Sequence, residues 1–464
     1  MCNGYSCHHL NGASIFRLIA ENNALKLKMR EMEHTMEKAT IEIASLRAEV
    51  EKLKKEKGNL LTEIRKKFKP NIKKDSGAKK GAPFGHTGRG RENPKHIDEE
   101  IEIYPETCPR CGSKDITVYH KLFNEKITED IEVKVKSTRY RIHYGYCKDC
   151  KRTFYPKGLI PSGRLGPLAQ AISGYLHYQG VPYRKVAGIF NDVFGMKITH
   201  PPLMGYDNKF GEKGEELYKT IKELLRNSPG VNADETGWRI EGQNGWLWVF
   251  AGKEAILYKI DRSRGSEVAK DVLGEEYNGI LGSDFYSAYN SIKAKGKQKC
   301  ITHLLRELKK VEEQSYLSEG SNDWKFCEEL KDTFKNAIEL GNIGHPDKLT
   351  KEKVINEIMR IITMPVEDKE VRRVRERVIK HNNELLTFLE HPEIEPTNNL
   401  AERYLRPSVI MRKLMFGNRS ERGAYNHSII MSIIQTGLLN KKKPLEVFTG
   451  LLNGTDTLFA GMPP

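Results

Sequence analysis

Three carboxylates stand where separate elements of the 464-residue chain should end or begin. Val231-Asn232-Ala233 leads into Asp234, and Glu235-Thr236-Gly237-Trp238 follows, a pattern that predicts a buried strand with Asp234 at its tip. Ile280-Leu281-Gly282-Ser283 is a short apolar run ending in Asp284, and Pro396-Thr397-Asn398-Asn399-Leu400-Ala401-Glu402 opens a helix carrying Glu402. Hard oxygen ligands drawn from three elements suit a pair of Mg²⁺ or Mn²⁺ ions. Two such ions support in-line displacement at phosphorus. Plainer readings exist for each residue. Asp234 and Asp284 fit ordinary strand-end aspartates, and Glu402, three residues after Asn399, fits the acidic member of a capping box. Glu235, Glu395 and, more weakly, Asp261 are rival ligands.

A second metal chemistry is written in cysteine. Cys108-Pro109-Arg110-Cys111 and Cys147-Lys148-Asp149-Cys150 are two knuckles, each offering two thiolates, and together they make a closed tetrahedral Zn²⁺ set with no open position. That zinc is structural. Ile131-Glu132-Val133-Lys134-Val135-Lys136 between them alternates at strand period, as a ribbon hairpin requires. Redox-active or unpaired thiols are the other reading. Cys2, Cys7, His8 and His9 read as an incidental cluster, and Cys327 as helix packing.

The chain carries 77 Lys and Arg against 62 Asp and Glu, a net charge of +15, which favours a polyanionic partner. It shows neither a secretory pattern at its N-terminus nor an apolar run of membrane-spanning length. Cysteines arranged for metal rather than disulfides point to a reducing compartment, so a cytoplasmic, nucleoid-associated location is expected.

The positioning elements follow. From Ile15 to Ile64 apolar residues hold a 4-3 spacing: Ile15, Asn22, Met29, Met36, Ile43, Val50, Lys57 and Ile64 on one heptad position, with Leu18, Leu25, Met32, Ala39, Leu46, Leu53 and Leu60 on the other. β-branched Ile43 and Val50 at one position with Leu46 and Leu53 at the other favour two parallel strands, so a homodimeric coiled coil is predicted. A helix folded on its own protein is the alternative. Residues 69–98 form a basic, Gly- and Pro-containing linker, suited to tracking phosphates or to serving as a plain solvated connector. Helices are predicted at Gly166–Tyr178, Pro182–Phe194 and from Pro201 onward. They are compatible with a helix-turn-helix reader or with a plain connector. After Asp234 come strands near 246–251 and 256–261, a helix near 264–273, a strand reaching Asp284, a strand near Lys299–Thr302 and a helix from His303. That is the element order of a ribonuclease-H-like fold. A charged helical insertion spans about 305–392, and Arg403, Arg406, Arg412, Lys413, Arg419 and Arg422 crowd around Glu402 as candidate phosphate contacts. Cys300 and His303 lie just past the catalytic sheet, where supporting the metal ligands or packing suits them better than ligation.

The motifs together resemble the transposases of the insertion-sequence-66 family, a group of DDE recombinases. The resemblance is carried by Asp234-Glu235-Thr236 with Trp238, Ser283-Asp284 with Tyr286 and Tyr289, and Cys300-Ile301-Thr302-His303 with Arg306. Asn398-Asn399-Leu400-Ala401-Glu402-Arg403 with Arg406-Pro407, and Phe416-Gly417-Asn418 with Arg422-Gly423, continue it. Gly85-His86-Thr87-Gly88, the heptad helix and the four cysteines extend it over nearly the whole chain. Ile301 and Thr302 replace the family's usual Trp-Ala.

The resemblance implies that Asp234, Asp284 and Glu402 are the DDE triad. They would bind two Mg²⁺ (or Mn²⁺) ions for hydrolysis at the element's ends, which frees a 3′-hydroxyl, and for attack of that hydroxyl on target DNA. Small accessory proteins encoded by the same element, as many members have, are further candidate partners. The expected architecture is multidomain α+β: coiled coil 1–68, basic linker 69–98, zinc ribbon 99–160, helical module 161–228, catalytic core 229–426 and C-terminal helices 427–464. Two other functions remain open, an inactive transposase-derived DNA-binding protein and a ribonuclease-H-like nuclease that does not join.

Overall fold

The computed structural model describes residues 12–67, 94–119, 124–156, 163–314, 319–344 and 346–455, with residues 317 and 458. Cys2, Cys7, His8, His9, Gly85–Gly88 and most of the basic linker lie outside the described residues. The chain divides into two compact units, 1–128 and 129–464.

The first unit begins with α1 (Gly12–Lys67), a single helix of 56 residues, about 84 Å long. Its seam residues Leu25, Met29, Met32, Met36, Ile43 and Leu46 are exposed. At the first knuckle the Gly112 N–H donates to Cys108 O (2.8 Å) and the Cys108 N–H to Ser113 O (2.9 Å). Gly112 takes φ +72°, which lets the chain turn back tightly.

The second unit opens with a small antiparallel hairpin, β1 (Gly145–Cys147) and β2 (Arg152–Phe154), which brackets the second knuckle. Residues 131–136 form no strand, contrary to their alternating pattern; Ile131, Val133 and Val135 are exposed. Alternation makes a strand only when one face has something to pack against. α2 (Pro167–Tyr178), α3 (Tyr183–Asp192) and α4 (His200–Arg226) follow, and Leu165, Val186, Ala187, Phe190 and Leu203 form a small core among them. Farther along α4, Phe210, Ile221 and Leu225 belong to the main core, so this helix ties the module to the sheet.

That sheet holds β3 (Gly230–Ile240), β4 (Gln243–Ala251), β5 (Ile256–Asp261), β6 (Glu276–Ser283) and β7 (Lys293–Lys299) in the order β5-β4-β3-β6-β7. The first three run antiparallel, whereas β3–β6 and β6–β7 are parallel. Glu241 (φ 54°) and Gly242 (φ 77°) make a two-residue turn whose twist matches the β3–β4 hairpin. α5 (Ser266–Leu273) crosses between β5 and β6. The fifth strand lies at 293–299 rather than near 299–302; its polar run Lys-Ala-Lys-Gly-Lys-Gln-Lys suits a sheet edge and hides it from an apolar pattern search.

α6 (Ile301–Gln314), α7 (Asn322–Ile343), α8 (Lys348–Ile362), α9 (Lys369–Lys380) and the single turn α10 (Asn382–Leu385) form the insertion. A second core unites them, with Cys327 fully buried among Leu308, Phe326, Leu330 and Val374. α11 (Asn399–Met415), α12 (Glu421–Leu439) and α13 (Pro444–Asn453) complete the chain. α12 runs across residues 426 and 427 and packs on the sheet.

α12 also closes an edge of the sheet. Ser428, Ser432 and Thr436 accept the backbone N–H groups of Ile260 (2.9 Å), Tyr258 (2.7 Å) and Ile256 (3.0 Å). Four helical residues rise about 6.0 Å, close to the roughly 6.6 Å of two strand residues. A hydroxyl every fourth position therefore keeps step with the outward N–H groups of β5. No helix among the described residues is long and apolar enough to cross a membrane.

Candidate active site

Asp234 is not at the tip of its strand. It sits within β3, where parallel pairing with β6 stops at Asn232–Gly282 while antiparallel pairing with β4 continues through Asp234–Val249. Asp234 and Asp284 each lie two residues beyond that last parallel pair, on neighbouring strands. Where β6 departs, Asp234 gains an open side. The Asp234 carboxylate accepts the Glu235 N–H at 2.9 Å and that of Asp284 the Tyr286 N–H at 2.8 Å.

Glu402 comes from the first turn of α11, and the start of this helix is fastened to the sheet by Asn398. Asn398 is buried, donates from Nδ2 to Ala233 O (2.8 Å) and accepts from Asn232 Nδ2 (3.1 Å). Its own N–H points to Cys300 Sγ at 3.1 Å. Cys300 N–H in turn bonds Ser283 O (2.9 Å), and Ile301 N–H bonds Pro396 O (3.1 Å). The residues flanking all three carboxylates thus meet in one buried knot. Lys299, fully buried at the end of β7, adds bonds to Ser283 Oγ (3.1 Å) and Asp284 O (3.0 Å). Burial draws the Lys299 ammonium down to about 8, against the opposing pull of Glu384 and Asp284. Asn232, Asn398 and Lys299 were not identified from sequence. An Asn-Asn pair before a helix looks like ordinary capping, yet the Asn398 side chain makes no cap bond.

The electrostatics are those of crowded negative charge. The Asp234 carboxyl is raised to about 7, first by burial and then by the charges of Glu235, Asp284 and Glu402. Glu402 Oε1 is buried without a hydrogen-bond partner. The nearest cations are Arg306 at 3.7 Å and His303 Nε2 at 3.9 Å, beyond hydrogen-bond reach. Glu402 therefore caps nothing, which removes the capping-box reading. Cys300 and His303 stand beside it, the first as a sulfur acceptor for the knot and the second near its carboxylate.

Two of the three rival carboxylates, Glu235 and Asp261, are otherwise engaged. Glu235, 1% exposed at its side chain, accepts from Arg264 Nε and NH2 (3.1 and 2.8 Å) and from Tyr289 OH (2.5 Å). The Arg264 guanidinium lies over Trp246 and Tyr286, 4.3 and 4.0 Å from their ring centres. Because Tyr286 N–H also holds Asp284, this network braces both aspartates from behind. Asp261 accepts from Ser263 N–H (2.9 Å), and Glu395 is exposed.

Among the described residues no group of three His, Cys, Asp or Glu side chains is already gathered as a metal-ligand set. The donor chemistry nonetheless fits a hard divalent cation. It is all oxygen, short of compensating charge at Asp234, and unpartnered at Glu402 Oε1. At the knuckles, backbone N–H groups lower the thiol pKa of Cys108, from Arg110 foremost, and of Cys147, from Cys150 foremost. Thiols poised toward thiolate suit zinc.

Residues 165–426 match the family model described as Transposase IS66 family. The chain belongs to the IS66 transposase family. The matched span holds the helical module, the sheet, the insertion and all three carboxylates of this IS66 protein. The uncharacterized protein y4qI of Sinorhizobium fredii is 25% identical over 312 residues, covering 60% of this chain, which spans 56% of the length of that relative. The insertion element ISM1 uncharacterized 48.3 kDa protein of Methanobrevibacter smithii is 23% identical over 322 residues, 64% of this chain and 75% of its own. A second S. fredii protein, y4hP, is 22% identical over 417 residues, 76% and 71% of the two chains.

The six cations near Glu402 in this member of the IS66 family divide into two groups. Arg403, Arg406, Lys413 and Arg419 are exposed, with no carboxylate partner among the described residues. Arg412 instead turns inward, to Thr236 Oγ1 (3.3 Å) and Gly237 O, and Arg422 is ion-paired with Glu212. Arg412 and Arg422 thus already have protein partners, whereas among the described residues Arg403, Arg406, Lys413 and Arg419 have no carboxylate partner.

Proposed function

We propose that this IS66 protein is a DDE transposase that cuts at the ends of its insertion sequence and joins them to target DNA. The reading rests foremost on Asp234, whose carboxyl is raised first by burial and then by the charges of Glu235, Asp284 and Glu402. Asp234, Asp284 and Glu402 would hold two divalent ions, Mg²⁺ or Mn²⁺. When bound, such ions activate the attacking oxygen and stabilise the leaving one. The chain's own work is positional. The Asn398 knot sets Glu402 against β3, the Glu235–Arg264–Tyr286 network sets Asp234 against Asp284, and Arg403, Arg406, Lys413 and Arg419 bind phosphates. Cys300 and His303 support Glu402 from the side.

The strand order, antiparallel through β3 and parallel beyond it, supports a ribonuclease-H-like core over about 229–426 with the insertion at 305–392. The exposed seam of α1 supports homodimerisation through a coiled coil within 1–68. The knuckle thiols support a zinc ribbon at 99–160. The linker 69–98 and the helices of 161–228 are assigned to DNA binding, 427–464 to closing the core, and the protein to the cytoplasm at the nucleoid. Accessory proteins of the same element are candidate partners.

The test is cutting and joining of labelled DNA carrying the element's own ends, with and without Mg²⁺, for wild type and Asp284→Ala. Joined product from wild type alone is expected. Cutting without joining would favour the nuclease, and binding with neither would favour an inactive DNA-binding derivative.

A further inference from the structure

α11 ends in a way that spends conformational strain on an exposed aromatic ring. Its C-cap is Phe416 at φ +65°, a left-handed position where glycine is usual and bulky side chains are rare. Glycine stands one residue later instead. Gly417 (φ 104°) admits no Cβ, which would fall 2.3 Å from Arg239 O. The loop is bound on both sides: Asn418 N–H to Arg239 O (2.9 Å), Glu241 N–H to Asn418 O (2.9 Å) and Trp238 Nε1 to Asn418 Oδ1 (2.8 Å). This rigid clasp holds Phe416 79% exposed. Strain kept in place by so many bonds points to use at the surface.

The surroundings define the partner. Lys413 and Arg419, three residues to either side, are exposed cations without carboxylate partners among the described residues, and Arg403 and Arg406 continue the stripe toward Glu402. Cations bind phosphates but give a phenyl ring nothing to do. The ring needs a flat apolar partner, and a polyanion that presents flat π-faces is nucleic acid.

We infer that Phe416 contacts a base that leaves the stack in the bound DNA end, while Lys413 and Arg419 hold the adjoining phosphates. The inference rests on the transposase reading and adds a contact distant from the chemistry. Fourteen residues separate Phe416 from Glu402 along α11, about 21 Å of helix. At about 3.4 Å per base pair, the affected base lies within roughly six base pairs of the cut.

The experiment uses full-length wild type, Phe416→Gly and Phe416→Trp on end duplexes carrying 2-aminopurine at single positions. Wild type should raise fluorescence at one position within that distance. Phe416→Trp should keep the rise. Phe416→Gly should abolish it and weaken end binding about tenfold or more, with an unchanged or higher thermal midpoint because glycine accepts the backbone angle. A lowered midpoint in Phe416→Gly would make the ring structural and overturn the inference. An unchanged fluorescence profile and affinity in that variant would overturn it while leaving the transposase reading intact. A wild-type protein that binds no end would overturn both.

Discussion

At the scale of the residue, Asp234 is held among carboxylates and short of positive charge. The folded Asp234 carboxyl titrates near 7, above the ordinary 3.8. The folded state therefore keeps a proton that the unfolded chain releases, and stability falls as pH rises from about 4 to 7. Without metal, Asp234→Asn should raise the thermal midpoint by several degrees, more at pH 8 than at pH 5, an effect of a few kcal/mol at most. Mg²⁺ should raise the wild-type midpoint and leave the variant's unmoved. Calorimetry in chelator and in Mg²⁺ at both pH values checks this, and an equal Mg²⁺ response in both proteins would contradict the ligand assignment. Asp284→Ala should abolish cutting while end binding stays nearly intact, as measured by cleavage and gel-shift assays on the same duplex.

At the scale of the element, position depends on a few buried polar links. Asn398→Ala would leave Ala233 O and Asn232 Nδ2 without their partner, a loss of about 1–3 kcal/mol per buried group. Strand cleavage should fall further than stability, because the start of α11 would no longer be fastened beside β3. Comparing kcat with the thermal midpoint separates the two effects. Ser432→Ala should strip the Tyr258 N–H of its acceptor and lower the midpoint by several degrees without changing kcat per folded molecule. These elements were legible in the sequence to different degrees. The β3–β4 hairpin and the helices of 166–226 were readable because apolar period and turn residues agreed. β7 was not, since its lysines mark an edge rather than a core, and the alternation at 131–136 had no face to bury.

At the scale of the whole molecule, assembly and charge decide what the site can reach. One zinc per chain is expected for purified protein, removed by Cys147→Ser and measured by metal analysis; zinc retained in that variant would exclude the four-cysteine set. The four exposed cations on and after α11 should each carry part of the salt dependence. Lys413→Gln should lower the slope of log affinity against log salt by about 0.9, the contribution of a single phosphate contact. Titration at several salt concentrations reads it, and an unchanged slope would place Lys413 off the DNA.

Residue type and local period were enough to pick out the two knuckles, the heptad helix and the basic balance, because each depends on neighbours a few residues apart, whereas the three carboxylates were chosen over their rivals only through the family resemblance. The family resemblance depended on such local motifs in order, and the match over 165–426 agrees with it. Tertiary structure alone decided which carboxylates are available. Glu235 is adjacent to Asp234 in sequence yet faces Arg264 and Tyr289, whereas Glu402 is 168 residues from Asp234 and acts on it through space. It also decided that Arg412 turns inward to Thr236 and Gly237 while Arg422 pairs with Glu212 at the surface, and that Asn398 is a fastening rather than a cap. Those distinctions rest on hydrogen bonds and charges between distant segments, which local spacing does not encode.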